Sequence, residues 1–92
     1  MDWSLRLERA PGIEIRPAPD GVVVYDAMRD RVHYLNRTAA LVLESCDGAL
    51  TAAELPVMLA AMFELESPPA ADVASCLARL LDEGLLVAAA VD

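Results

Sequence analysis

The sequence predicts a two-layer α+β domain, with a three-stranded antiparallel sheet followed by three helices. Two observations carry this. Short runs of β-branched and aromatic residues lie between positions 13 and 35, the composition that favours strands. From position 38 to 81, apolar residues recur at helical spacing. Ninety-two residues suffice for one such domain.

Taken in order, residues 1–11 form an N-terminal extension. Trp3, Leu5 and Leu7 alternate with polar residues, which reads as a loose tail or an added edge strand. The domain proper is expected over residues 12–92. Ile13 and Ile15 alternate with Glu14 and Arg16 as in a half-buried strand. Pro17-Ala-Pro-Asp-Gly21 reads as a turn, Val22–Tyr25 as a second strand, and Val32–Leu35 as a third after Ala27–Asp30. Connections this short make the three an antiparallel meander.

Asn36 stands where a helix N-cap belongs, just before Thr38–Leu43, and Asp47-Gly48 closes that helix with a glycine suited to a left-handed position. Thr51 and Glu54 have capping-box spacing. They open a second helix through Leu55, Met58, Leu59 and Met62, in which Pro56 deletes a hydrogen bond back to Ala52. Ser67-Pro68-Pro69 separates it from a third helix carrying Val73, Leu77, Leu80 and Leu81, which ends at Gly84. Leu85–Val87 packs back or adds a short extended piece.

Composition narrows the function. Fifteen acids face seven arginines and no lysine, for a net charge of −8. A nucleic-acid binder neutralises phosphates with a basic surface, so nucleic acid is not an expected partner. No run reaches the roughly 18 apolar residues of a membrane span, and the N-terminus lacks a signal peptide's basic and long apolar regions. A cytoplasmic protein without a membrane partner is expected.

Catalytic groups are scarce. His33 is the one histidine, and acid–base work would require a positioned partner. The nearest acids in sequence, Asp26 and Asp30, lie in or beside the preceding turn, so a solvent-facing or sheet-packed histidine is the simpler reading. Cys46 and Cys76 belong to no CxxC or Cys/His cluster, and each reads as a buried structural thiol. The four glycines are isolated, so no phosphate-cradling loop is formed. No catalytic residue, metal or cofactor is expected. What remains is surface: the unpaired edge of a small sheet, which is a template for another strand.

The stretch Leu35-Asn36-x-Thr38-Ala39-x-x-Val42-Leu43-x-x-Cys46-Asp47-Gly48-x-x-Thr51-x-x-Glu54-Leu55 resembles the signature of the coenzyme PQQ synthesis protein D (PqqD) family. Asp72-Val73…Leu77…Leu81…Gly84-Leu85-Leu86 is similar to that family's last helix and closing segment. The resemblance covers roughly residues 12–87. The resemblance implies a winged-helix-like fold of three strands and then three helices. It also implies a peptide chaperone, a recognition element for ribosomally made, post-translationally modified peptides. The leader of a precursor peptide would add as a strand to Arg31, Val32, His33, Tyr34 and Leu35. The facing helix would contribute Asp72, Val73, Cys76, Leu77, Arg79 and Leu80.

In such a protein the leader is presented to a separate modifying enzyme, in many members a radical S-adenosylmethionine protein. Asn36, Thr38, Asp47, Gly48 and Thr51 are read as structural. Arg31 and Arg79 would pair with leader carboxylates. Trp3 and the extension lie outside the motif, and the turn and third strand around Asp26–Tyr34 read more like the family's many relatives than its PQQ-pathway member.

Two other readings differ in class. A winged-helix DNA-binding regulator would need a basic third helix, but residues 70–83 carry Arg79 against Asp72, Asp82 and Glu83. A structural subunit could instead dock on a modifying enzyme without touching peptide. Exposed strand edges also permit a homodimer.

Overall fold

A computed structural model of the chain describes residues 2–89. The elements follow the order β1 (Arg6–Arg9), β2 (Ile13–Ala18), β3 (Gly21–Asp26), β4 (Arg31–Asn36), α1 (Arg37–Ser45), β5 (Asp47–Thr51), α2 (Glu54–Met62), α3 (Ala70–Asp82) and β6 (Leu86–Ala88). The α+β class stands, with the meander first and three helices after it. Strands β2, β3 and β4 form one antiparallel sheet in that order, and β5, β1 and β6 form a second.

The meander is longer than its apolar runs. β2 continues through Pro17 and Ala18, which pair with Val22 and Gly21 and leave only Pro19-Asp20 as the turn. Pro17 lacks the amide a central strand needs, and its place on the outer strand of the sheet removes the conflict. The β3–β4 register pairs Val22 with Leu35 and Val24 with His33. Strand alternation therefore turns Val22, Val24, Asp26, His33 and Leu35 inward and leaves Tyr25, Val32 and Tyr34 exposed. Buried Asp26 is satisfied locally, its carboxylate accepting from the amides of Met28 (3.1 Å) and Arg29 (3.2 Å) to fold the hairpin loop.

The second sheet is where the structure departs most from the expectation. Arg6–Arg9 is neither tail nor edge but the middle strand, between β5 and β6. Leu7 is 1% exposed and joins the core. Main-chain bonds secure the segment on both sides: toward β5, Ala52 donates to the Leu5 carbonyl (2.8 Å) and Arg9 to that of Cys46 (3.1 Å), and toward β6, Ala10 donates to Leu85 (2.9 Å) and Ala89 to Arg6 (2.8 Å). A four-residue strand with one leucine, preceded only by Leu5 and Trp3, supplies too short an alternation to reveal such a position. Asp47–Thr51, expected as a helix stop and a cap, is itself strand β5. It is bulged against β1, since Arg6 pairs with Thr51 while Glu8 pairs with Asp47. Gly48, at φ +87°, takes the left-handed backbone expected of it, inside that bulge.

The caps divide. The Asn36 side chain accepts from the Ala39 amide at 2.8 Å, as its position predicts. At α2 only half of the capping box forms. The Glu54 carboxylate accepts from both the amide (2.9 Å) and the hydroxyl (3.0 Å) of Thr51, which hold its pKa below the usual carboxylate range. The hydroxyl is thereby spent on Glu54, and Ala53 is the capping residue. Because α2 begins at Glu54, Pro56 falls in the first turn, where helical amides have no intrahelical acceptor. The disruption expected of it does not arise.

The core lies between the meander and the helices: Val22, Val24 and Leu35 from the sheet, Val42 and Leu43 from α1, Leu55 and Leu59 from α2, Val73, Leu77 and Leu80 from α3. Burying each such side chain contributes roughly 1.5–3 kcal/mol. Cys46 is 2% exposed, its thiol donating to the Val42 carbonyl at 3.1 Å, and burial pushes its pKa up to about 11. None of the helices is long and apolar enough to cross a membrane among the described residues.

Candidate peptide-binding groove

β4 pairs only with β3, so its other edge carries unpaired main-chain groups. Helix α3 stands beside that edge. Its apolar stripe, Val73, Leu77 and Leu80, is buried against the core, which fixes the helix and turns Asp72, Ser75, Cys76 and Arg79 toward the strand side. Between them runs a groove of about 290 Å³, bounded by Leu35 and Asn36 at the end of β4, Thr38 and Ala39 at the start of α1, and Asp72, Cys76 and Arg79 on α3. An adjoining cavity of about 350 Å³ continues beneath α3 and is mainly apolar, lined by Val42, Leu59, Phe63, Leu65, Val73 and Cys76 among others. Thr38, Asp72 and Cys76 border both.

Glu83, just beyond α3, ties the end of that helix to the sheet. Its carboxylate accepts from Arg79 Nε at 3.1 Å and lies 3.4 Å from His33 Nδ1. Its main-chain carbonyl accepts from the Arg29 guanidinium at 3.0 Å. One residue thereby fastens the helix end to both β4 and the hairpin loop. The partner of His33 is thus fifty residues away in sequence, and neither Asp26 nor Asp30 fills that role. Asp26 caps the hairpin loop, and Asp30 accepts from the Tyr25 hydroxyl at 3.0 Å.

The residues expected to form the site fall into three groups. Arg31, Val32 and Tyr34 are exposed on β4, while His33 is half-buried beneath it. Asp72, Cys76, Arg79, Leu80 and Leu35 border the groove. Val73 lines the adjoining cavity, and Leu77, at 0% exposure, belongs to the core and supports the groove from below. Thr38, read from sequence as structural, stands exposed at the mouth of both cavities. Phe63 and Leu65, which line the adjoining cavity, lie outside the site residues the sequence predicts. Their signal was present as two large apolar residues beyond the end of a helix, separated by Glu64.

Reactive groups near the groove are held quiet. Burial raises the pKa of Cys76, with the nearby Arg79 charge only partly opposing it. Among the described residues, no three His, Cys, Asp or Glu side chains are placed to hold a metal ion.

The arrangement is an open sheet edge faced by a helix across a groove of mixed polar and apolar lining. The chain belongs to the coenzyme PQQ synthesis protein D (PqqD) family, whose pattern matches residues 21–86, from β3 to β6. No curated protein matches it. Among solved structures it is similar to a lasso peptide synthetase B1 complexed with the leader peptide, with a TM-score of 0.73 at 24% sequence identity. The match covers 89% of this chain and 98% of that one. The likeness extends to the fold.

Proposed function

We propose that this chain is a non-catalytic peptide chaperone. It binds the leader of a ribosomally made precursor peptide as a strand added to the free edge of β4, and presents the attached substrate to a separate modifying enzyme. The carrying observation is the unpaired edge of β4 facing α3 across the groove. An incoming strand gains main-chain hydrogen bonds along residues 31–35, and the groove selects its side chains. The family's role and the leader-bound state of the similar synthetase subunit support the reading. So does Cys76, the thiol that borders the groove, whose pKa burial raises.

Arg31 and Arg79 would supply charge recognition. Both are exposed, and Arg79 can exchange its partner Glu83 for a leader carboxylate. Tethering the leader raises the substrate's effective concentration at the enzyme.

The test is a titration of the leader encoded beside this gene against the pure protein, followed by amide NMR. Shifts centred on residues 31–35 and 70–80 are expected, with affinity reduced in Arg31→Ala and Arg79→Ala but not in distant Arg6→Ala. Equal effects of all three would remove the charge-recognition role. No binding at about 100 μM, with the modifying enzyme present, would reduce the protein to a docking subunit.

A further inference from the structure

Helix α2 is apolar on every side. One face, Leu55, Pro56 and Leu59, is buried in the core. The opposite face carries Val57 and Ala61, with Met62 beside them and Phe63 and Leu65 just beyond the helix, and it is exposed. Val57 is 59% and Met62 53% accessible, Phe63 43% and Leu65 46%. A surface helix is ordinarily polar on its outer side, and one that is apolar all round belongs in an interior. From Leu55 to Phe63 no charged residue interrupts the surface. An apolar patch of this kind marks a protein contact.

The surrounding charge specifies the partner. Between Thr38 and Ala78 the chain contains no Lys, Arg or His, while Glu54, Glu64 and Glu66 flank the patch and Asp72 lies at the adjoining cavity. All four acids are exposed. Two copies of this face would bring glutamates against glutamates, and like charges across an interface oppose association. A surface with an apolar centre and a Lys/Arg rim is complementary to it.

We infer that the exposed side of α2, running from Val57 round to Met62 at the helix end, is the docking surface for the modifying enzyme, which carries an apolar, basic-rimmed patch. The inference rests on the proposed chaperone role. Val57 and Met62 line neither the groove nor the adjoining cavity, so enzyme docking and leader binding occupy different surfaces. Phe63 and Leu65 touch both the patch and the cavity, which places the docked enzyme beside the end of the leader site.

The experiment measures binding of the full chain to the purified modifying enzyme encoded in the same gene cluster, and separately to its leader. Val57→Ser/Met62→Ser should weaken enzyme binding by about tenfold or more and leave leader affinity unchanged. Glu64→Lys/Glu66→Lys should weaken it too, and raising salt should weaken the wild-type complex. Unchanged leader binding and circular dichroism establish that the variants are folded. Wild-type affinity in Val57→Ser/Met62→Ser overturns the inference, as does failure of the wild-type chain to bind the enzyme. A wild-type dimer that this variant converts to monomer also overturns it, giving the face to a second copy. If the leader fails to bind but enzyme binding depends on Val57 and Met62, the docking surface stands and the chaperone role falls.

Discussion

Leu7 shows how much a single residue can carry when the segment around it has few anchors. It is 1% exposed, packed into the core from the middle strand of the second sheet. The rest of the N-terminal segment is held by main-chain bonds and by partly buried Trp3 and Leu5. Truncating a buried leucine loses its transfer free energy and leaves a cavity, in total about 2–5 kcal/mol. Such a loss is a large share of the 5–15 kcal/mol typical of a domain. We expect Leu7→Ala to lower the urea midpoint by a corresponding amount, whereas the neighbouring exposed Arg6→Ala should change it by less than about 0.5 kcal/mol. An indifferent response to Leu7→Ala would mean that Arg6–Arg9 contributes nothing to folding, contrary to its place between β5 and β6.

Among the elements, those with a local signature were legible in the sequence and those defined by distant pairing were not. The alternation at Ile13–Arg16, the β-branched run at Val22–Tyr25, the Asn36 cap and the stripe of Val73, Leu77 and Leu80 each express a rule satisfied within a few residues. β1 and β5 are strands because they meet each other across some forty residues, and their own sequences carry turn residues or a brief alternation. The candidate site divides in the same way. The free edge of β4 and the facing helix were legible from element order, as was the i,i+4 spacing of Arg79 and Glu83, but the Glu83 tie to His33 and Arg29 spans up to 54 residues and leaves no local trace. Gly84 tests that tie. It holds φ +76°, and a Cβ placed on it would collide with the Arg29 guanidinium. Gly84→Ala should cost about 1–2 kcal/mol from the left-handed backbone alone, and more from displacing Arg29. In a double-mutant cycle, Arg29→Ala should recover the second part and not the first. Additive effects would show that Arg29 does not crowd this position.

For the molecule as a whole, charge is unevenly placed, and this separates the two kinds of partner. The seven arginines fall in residues 6–37 and at Arg79, around the strands and the groove, while Thr38–Ala78 holds acids alone. With a net charge of −8, the whole chain repels a polyanion. On the proposed function, a peptide bearing one or two carboxylates would meet exposed Arg31 on β4 and exposed Arg79 at the groove. Salt should therefore distinguish the two. Leader affinity is expected to fall only modestly between about 50 and 500 mM salt, because few charges are paired and much of the contact is main-chain hydrogen bonding and apolar burial. Nonspecific duplex DNA should not be retarded even at the low end, where a phosphate-contacting protein binds most tightly. A steep loss of DNA binding with salt would require a phosphate-binding face among the strands and revive the winged-helix regulator. A leader affinity that rises with salt would instead place the leader against the acidic α2 side, since screening there removes repulsion rather than attraction.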